Sequence, residues 1–306
     1  MSATLFSNFP NGFSNGVTVR GIPILNTYAN RVFWVDSNAP SSGKGTFDRP
    51  FLTINDAITA CTASKADFVF CKAGHAETIS AAAGVALSKA GVSVVGLGRG
   101  SIRPTLNLTA TASTITMSAA NCTLQNFLIT GGVDAIVSHT VVSAAGCSII
   151  DCEYRDVTGQ CTDGILTTAA ADRLLIENYI HDGAAAAGSN SGIAIVGGDG
   201  IVINGLRMDG NFAVGGIDIR TTATTDLEVR NVMFRTRNAA DIFIVDTITA
   251  STGMIGPNIN LRLLDNAANI TESCTGATFV YFQPINVVNL AGESSMQINI
   301  TASTDA

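Results

Sequence analysis

Eight acidic residues in the middle of this 306-residue chain have the types and spacing for sugar chemistry: Asp151, Glu153, Asp156, Asp163, Asp182, Asp199, Asp209 and Asp218, with His181 among them. Inverting hydrolysis of a glycosidic bond uses two carboxyl groups about 6.5–9.5 Å apart, one giving a proton and one activating water. Strands stacked in one sheet lie about 4.8 Å apart, so acids on nearby strands can reach that separation.

The same acids also have structural readings. Asp151 falls at a recurring turn position, Asp156 and Asp182 end strand-like runs, and Asp163 and Asp199 each precede a Gly, which places them in loops. Asp218 and Arg220, two apart in GIDIR, read as an exposed ion pair on one strand face. His75 reads as a loop residue and His139 and His181 stand alone, so no metal site is expected. The seven cysteines, at 61, 71, 122, 147, 152, 161 and 274, show no CxxC or zinc spacing and read as buried free thiols filling small apolar spaces. Asn107, Asn121, Asn269 and Asn299 begin Asn-x-Thr strings that matter only in a secreted eukaryotic protein.

What must position these side chains is a repeat. The phrases GVSVVG (91–96), CTLQNF (122–127), CSIIDC (147–152), LLIENY (174–179), IVINGL (201–206) and LEVRNV (227–232) alternate apolar with small or polar residues and then meet Gly, Asn or Asp. Aligned on Gly96, Asn126, Asp151, Asn178, Gly205 and Asn231, they are 30, 25, 27, 27 and 26 residues apart. Alternation of period 2 belongs to strands, and a fixed repeat of this length marks units too small to bury their own apolar face. A second strand precedes each later phrase, as in TITMSAA (114–120) or GIAIVGG (192–198), and a short third one follows, as in FLIT, EYRD, YIHD, LRMD and MFRT. The pattern predicts an all-β parallel β-helix of about seven coils, roughly 35 Å long at about 4.8 Å per coil. Asn126, Asp151, Asn178 and Asn231 are predicted to form a turn ladder, because Asn and Asp tolerate the left-handed backbone and can hydrogen-bond their neighbours. Gly96 and Gly205 would interrupt it.

Composition agrees with a narrow solenoid. Charged residues are 13% and aromatic residues 6%, while apolar residues reach 46%. The net charge of −7, with Lys and Arg together only 17, argues against a nucleic-acid surface. No run of 18 apolar residues suggests a membrane span, and MSATLFSNFPNGFSNG lacks the basic start and apolar centre of a signal peptide, so a soluble protein made in a cytoplasm is expected. No cofactor is implied.

The start of the repeat carries a resemblance. WVDSNAPSSGKGTFDRPFLTINDAITAC (34–61), ADFVFCKAGHAETI (66–79) and GVSVVGLGRGSIRPTL (91–106) resemble the opening of pectate-lyase-like right-handed β-helix proteins. In this cap Pro50 ends the loop with Phe51 after it, Thr53 can cap a helix, and Ile54, Ala57, Ile58 and Cys61 share one helical face that would plug the end of the solenoid. With FSNGVTVRGIPI (13–24) and the variant GHAETIS (74–80), the chain more narrowly resembles β-helix proteins encoded beside the major capsid protein of tailed bacteriophages, over roughly residues 14–250.

That resemblance implies a structural virion protein, a decoration or cement on the capsid exterior, homotrimeric, made in the host bacterial cytoplasm and bound to the major capsid protein. The alternatives are a phage tailspike or fibre, or a secreted-type β-helix that binds or cleaves polysaccharide. The motifs of polygalacturonase-like enzymes (Asn-Thr-Asp, Asp-Asp, Gly-His-Gly, Arg-Ile-Lys) are absent, and GIDIR is the nearest string to a pectate-lyase site. No catalytic residue is therefore assigned. One Trp and four Tyr make a poor aromatic platform for glycans, although a cell-surface glycan stays open as a partner. The chain divides into an extended arm (1–30), a cap and first coil with a short helix (31–80), the β-helix (81–270) and a C-terminal strand or oligomerisation segment (271–306). Phe6, Phe9 and Phe13 in the arm are costly to leave in water; they either dock on a partner such as the capsid or fold back over the cap.

Overall fold

The computed structural model describes residues 31–156, 161–183, 189–236, 242–263, 271–274 and 277–289, together with the two-residue strands Thr18–Val19 and Ile22–Pro23, which pair antiparallel. Phe6, Phe9 and Phe13 lie outside the described residues.

The repeat phrases fold as predicted, into a parallel β-helix with three faces of ten, nine and eight strands. The eight-stranded third face sets the number of complete coils, in line with the about seven expected. Because each copy stacks in register on the last, its inward positions form columns through the body. On the first face Val69, Val94, Leu124, Ile149, Ile176, Ile203, Val229 and Ile255 lie one above another, all buried. On the third face the column runs Ile115, Thr140, Ile165, Ile193, Ile217 and Ile244. Each such buried aliphatic side chain contributes about 1.5–3 kcal/mol, and no single coil could supply the partner surface. The second face is different: its column is Leu106, Ile129, Tyr154, His181, Met208, Phe234 and Leu261, bulky and partly polar.

Helix Ile54–Ala60 closes the first end. Thr53 caps it by accepting from Asp56 N at 3.2 Å, and Ile54, Ala57 and Ile58 are buried beneath it. Its half-buried polar residue Asn55 acts as a substitute strand: Nδ2 donates to Gly84 O at 2.8 Å and Oδ1 accepts from Ala86 N at 2.9 Å, which satisfies the edge strand Val85–Leu87. Glu77 accepts from Ile54 N at 3.0 Å and so supplies a carboxylate at the helix start. Pro50 is buried and Phe51 half-buried, its backbone bonded to the first edge strand, Val32–Val35.

The turn ladder forms, with two differences. Asn126, Asp151, Asn178 and Asn231 have φ of 61°, 54°, 53° and 54°, and Asn258 extends the series at 64°. This conformation directs each turn's N–H along the stack: Asn126 N donates to Ile150 O, Asp151 N to Glu177 O and Asn178 N to Asn204 O, each at 2.9 Å. Side chains tie the same turns, Asn178 Nδ2 to Asp151 Oδ1 at 3.0 Å and Asn258 Nδ2 to Asn231 Oδ1 at 2.9 Å. Gly96 is not a turn residue; it ends strand Ser93–Gly96, and its carbonyl accepts from Asn126 Nδ2 at 2.7 Å. Gly205 keeps the left-handed turn at φ 75°, and a Cβ there would lie 2.5 Å from Asn178 Oδ1. Asn231 bypasses it, donating to Asn204 Oδ1 at 2.7 Å. Asn178→Ala is expected to lower stability by about 1–2 kcal/mol, through left-handed strain plus a lost hydrogen bond, and Asn178→Gly by less. Urea unfolding of both variants checks the order; equal losses would show that backbone strain is not part of the cost.

The solenoid does not end at residue 270. Strands Thr271–Cys274, Thr278–Tyr281 and Ile285–Asn289 pair in parallel with Ile242–Asp246, Thr252–Ile255 and Ile259–Leu263, so the boundary at 271 falls inside the stack. They join it because backbone pairing needs no copy of the phrase, only an extended run at the right spacing.

Candidate functional site

The outer acids sort by the elements that carry them. Asp151 belongs to the turn ladder; Asp199, expected in a loop, lies instead in the two-residue strand Gly198–Asp199, in register with Thr225, whose Oγ1 donates to it at 2.5 Å; and Glu153 is held by Arg103 at 2.8 Å and by Arg155. Three of the remainder lie at or near the ends of second-face strands, and two, Asp163 and Asp218, lie within third-face strands. Asp156, Asp182 and Asp209 end the second-face strands Glu153–Asp156 and Ile180–Asp182 or lie near the end of Arg207–Gly210, and Arg155, Asp182, Asp209 and Arg235 are in register. Asp209 is buried and paired with Arg235.

Asp163 is not in a loop. It lies in strand Cys161–Thr167, buried, because the hydrogen-bonded pairing of three coils runs straight through it, Ser138 to Asp163 to Ser191. Its Oδ1 accepts from Ser191 Oγ at 2.7 Å and its Oδ2 from Arg220 Nη2. Nor is Asp218–Arg220 an exposed pair. Asp218 has a side chain only 6% exposed, and Arg220 donates to its Oδ2 at 3.2 Å while also reaching Asp163 two coils away. Burial pushes the Asp218 carboxyl above its ordinary range; Arg220 opposes the shift, and Asp163 and Asp246 add to it. One guanidinium therefore clasps two buried carboxylates, Nη1 on Asp218 and Nη2 on Asp163, with the two-armed fork that only Arg offers.

Behind this clasp a column of glycines makes room. A Cβ on Gly164 would lie 3.1 Å from His181 Nδ1, one on Gly192 2.5 Å from Met208 Cε, and one on Gly216 2.6 Å from Phe234 Cε2. The bulky second-face column fills the interior because the third face has no side chains there. His139 and His181, which stand alone in sequence, meet inside it. His139 Nδ1 is 2.8 Å from Thr140 Oγ1, its Nε2 is 2.8 Å from Tyr179 OH, and that hydroxyl is 3.5 Å from His181 Nδ1. The rings follow one another through the interior, His139 stacked on Tyr154 at 4.5 Å, then Tyr154 and His181 edge to face at 5.1 Å and His181 and Phe212 edge to face at 5.3 Å. Burial holds both imidazoles below their ordinary range, His139 well below and His181 down to about 4. The signal that could have exposed this cluster was the column of large residues at matching places in EYRD, YIHD, LRMD and MFRT. His75 is also buried, accepting from Ser37 N at 3.0 Å and lying 3.3 Å from Glu77, because the helix and its loop cover it.

Chemically, the clasp is poorly set for acid–base work. A general acid must carry a proton and a general base must offer a free lone pair, whereas Arg220 engages both carboxylates. Among the described residues no group of three or more His, Cys, Asp or Glu is arranged to hold a metal ion, and the seven cysteines are unbonded to one another. No helix among them is long and apolar enough to cross a membrane.

No family model and no curated protein matches the chain. A solved rhamnogalacturonan lyase is similar at 13% identity, over 88% of this chain and 89% of that chain, with a TM-score of 0.48. The parallel β-helix itself is read from the strand registers above.

Proposed function

We propose that this chain is a structural virion protein that decorates or cements the head of a tailed bacteriophage. It is made in the host cytoplasm, assembles as a homotrimer and binds the major capsid protein through the arm that carries Phe6, Phe9 and Phe13. The phage assignment rests on the cap strings and the GHAETIS variant. The observation that favours a scaffold over an enzyme is the clasp: Asp163 and Asp218, the acids best placed for chemistry, are tied to each other's coils by Arg220. A rigid solenoid of this kind would raise the barrier to capsid rupture by burying surface across several subunits, its attachment strengthened by multivalency. Quantitative mass spectrometry of purified particles tests it. Copies on the order of hundreds per particle fit decoration, a few to a few dozen would mean a spike or fibre, and absence would overturn the virion role.

A second reading, binding or cleavage of a polysaccharide at the Asp163–Arg220–Asp218 clasp, is favoured by one feature. The Asp218 carboxyl is pushed up while the Arg220 side chain beside it stays 31% exposed. Release of reducing ends or unsaturated sugars by the purified chain, abolished in Asp218→Asn, would establish it; no release from a broad set of polysaccharides would remove it.

A further inference from the structure

We infer that the cap loop at residues 39–50 is a binding site for a small hydroxylated oxyanion, a phosphorylated or carboxylated sugar unit. The loop borders an open cavity of about 540 Å³, lined among others by Pro40, Ser41, Ser42, Lys44, Asp48 and Arg49, all exposed. That volume lies within the range of small-molecule sites, roughly 300–1,000 Å³.

Sealing the edge of the solenoid does not require this excursion. Trp34 N donates to Gly45 O, Phe51 N to Trp34 O and Asp36 N to Phe51 O, at 2.8, 2.8 and 2.9 Å, so Gly45 and Phe51 cover the edge strand. The residues between and before them form a separate hydrogen-bonded neck. Gly43 N donates to Pro50 O at 2.8 Å, Lys44 N to Arg49 O at 3.0 Å and Arg49 N to Thr46 O at 3.2 Å. Gly43 is pressed against that neck, since a Cβ there would lie 2.2 Å from Arg49 O. The loop's backbone is thus held in place before binding, which lowers the cost of ordering it.

The neck places Lys44 opposite Arg49, and both line the cavity. No ion pair among the described residues involves Lys44, Arg49 or Asp48. An oxyanion in the cavity gains charge-assisted hydrogen bonds from the Arg49 fork and the Lys44 ammonium. Ser41 and Asp48 supply the donor and acceptor that sugar hydroxyls need. The net charge of −7 gives no long-range attraction for an anion, so recognition is local and salt-sensitive.

The test titrates the full chain with glucose 6-phosphate, galacturonate, glucose and inorganic phosphate, by calorimetry and by amide chemical shifts. Saturable binding of a charged sugar, at least about tenfold tighter than glucose and weakened about tenfold in Lys44→Ala and in Arg49→Ala, is the expected result. Both variants keep the backbone bonds of the neck, and an unchanged urea midpoint shows that they fold. No saturable binding, equal binding of glucose, inorganic phosphate binding as tightly as glucose 6-phosphate, or variants that bind like the parent overturns the inference. Particle attachment plays no part in these readouts, so they stand apart from the virion role.

Discussion

Arg220→Ala is expected to destabilise the folded chain by about 3–5 kcal/mol, the cost of leaving buried charge without its partner. Asp163 and Asp218 have side chains only 2% and 6% exposed, and Arg220 is the cation that joins them. Without it, the burial and the neighbouring Asp163 that already push the Asp218 carboxyl up act unopposed, so its folded pKa moves further above the unfolded value. A group of that kind is stabilised at low pH and loses stability as pH rises through its folded pKa, so the variant's deficit is expected to be larger at pH 8 than at pH 5. Arg220→Lys keeps the charge but lacks the fork needed to hold two carboxylates, and an intermediate loss is expected. Adding Asp163→Asn to Arg220→Ala removes one of the stranded charges and is expected to recover part of the loss. Urea midpoints of the four proteins at the two pH values decide it. A loss under about 1 kcal/mol with no pH dependence would mean that the clasp is solvated and contributes little.

The second large effect is acid sensitivity from the interior histidines. His139 and His181 are fully enclosed and held neutral by burial, His181 down to about 4. Above the unfolded histidine pKa of about 6.5 neither state binds the proton, and the pair contributes no pH dependence. As pH falls below that value the unfolded chain takes up protons that the folded chain refuses, so stability falls by up to about 1.4 kcal/mol per pH unit for each histidine. For His181 the window runs from about 6.5 to about 4 and amounts to roughly 3 kcal/mol; His139 adds to it. His181→Phe keeps a flat ring between Tyr154 and Phe212 and removes the titration. Its unfolding free energy between pH 7 and 4.5 is expected to fall less steeply than the parent's, by about one histidine's share. Parallel profiles for the two proteins would place the acid sensitivity in the carboxylates instead.

Both predictions concern contacts that sequence reading missed. The fold was legible because it depends on a property each copy carries by itself. Alternation of period 2, a repeat near 27 residues and an Asn or Asp that accepts the left-handed turn are local, and stacking adds them up. The same holds for the cap, where Thr53, Ile54, Ala57 and Ile58 follow a helical face within one short segment. The strands after residue 270 escaped because their backbones pair without repeating the phrase.

The site was another matter. Asp163 and Arg220 are 57 residues apart, and no local pattern says that one strand passes two levels above the other with an arginine long enough to span them. Asp218 two residues before Arg220 looks like any surface pair until the neighbouring coils remove the solvent around it. His139 and His181 become partners only because Gly164, Gly192 and Gly216 leave the space that the second-face column fills. The sequence by itself determined the parallel β-helix, its turn ladder and its first cap, since these follow from backbone and apolar periodicity. Only the tertiary structure decided which acids are buried, which arginine holds them and which imidazoles stay neutral, because burial and pairing across coils depend on what each copy is stacked against.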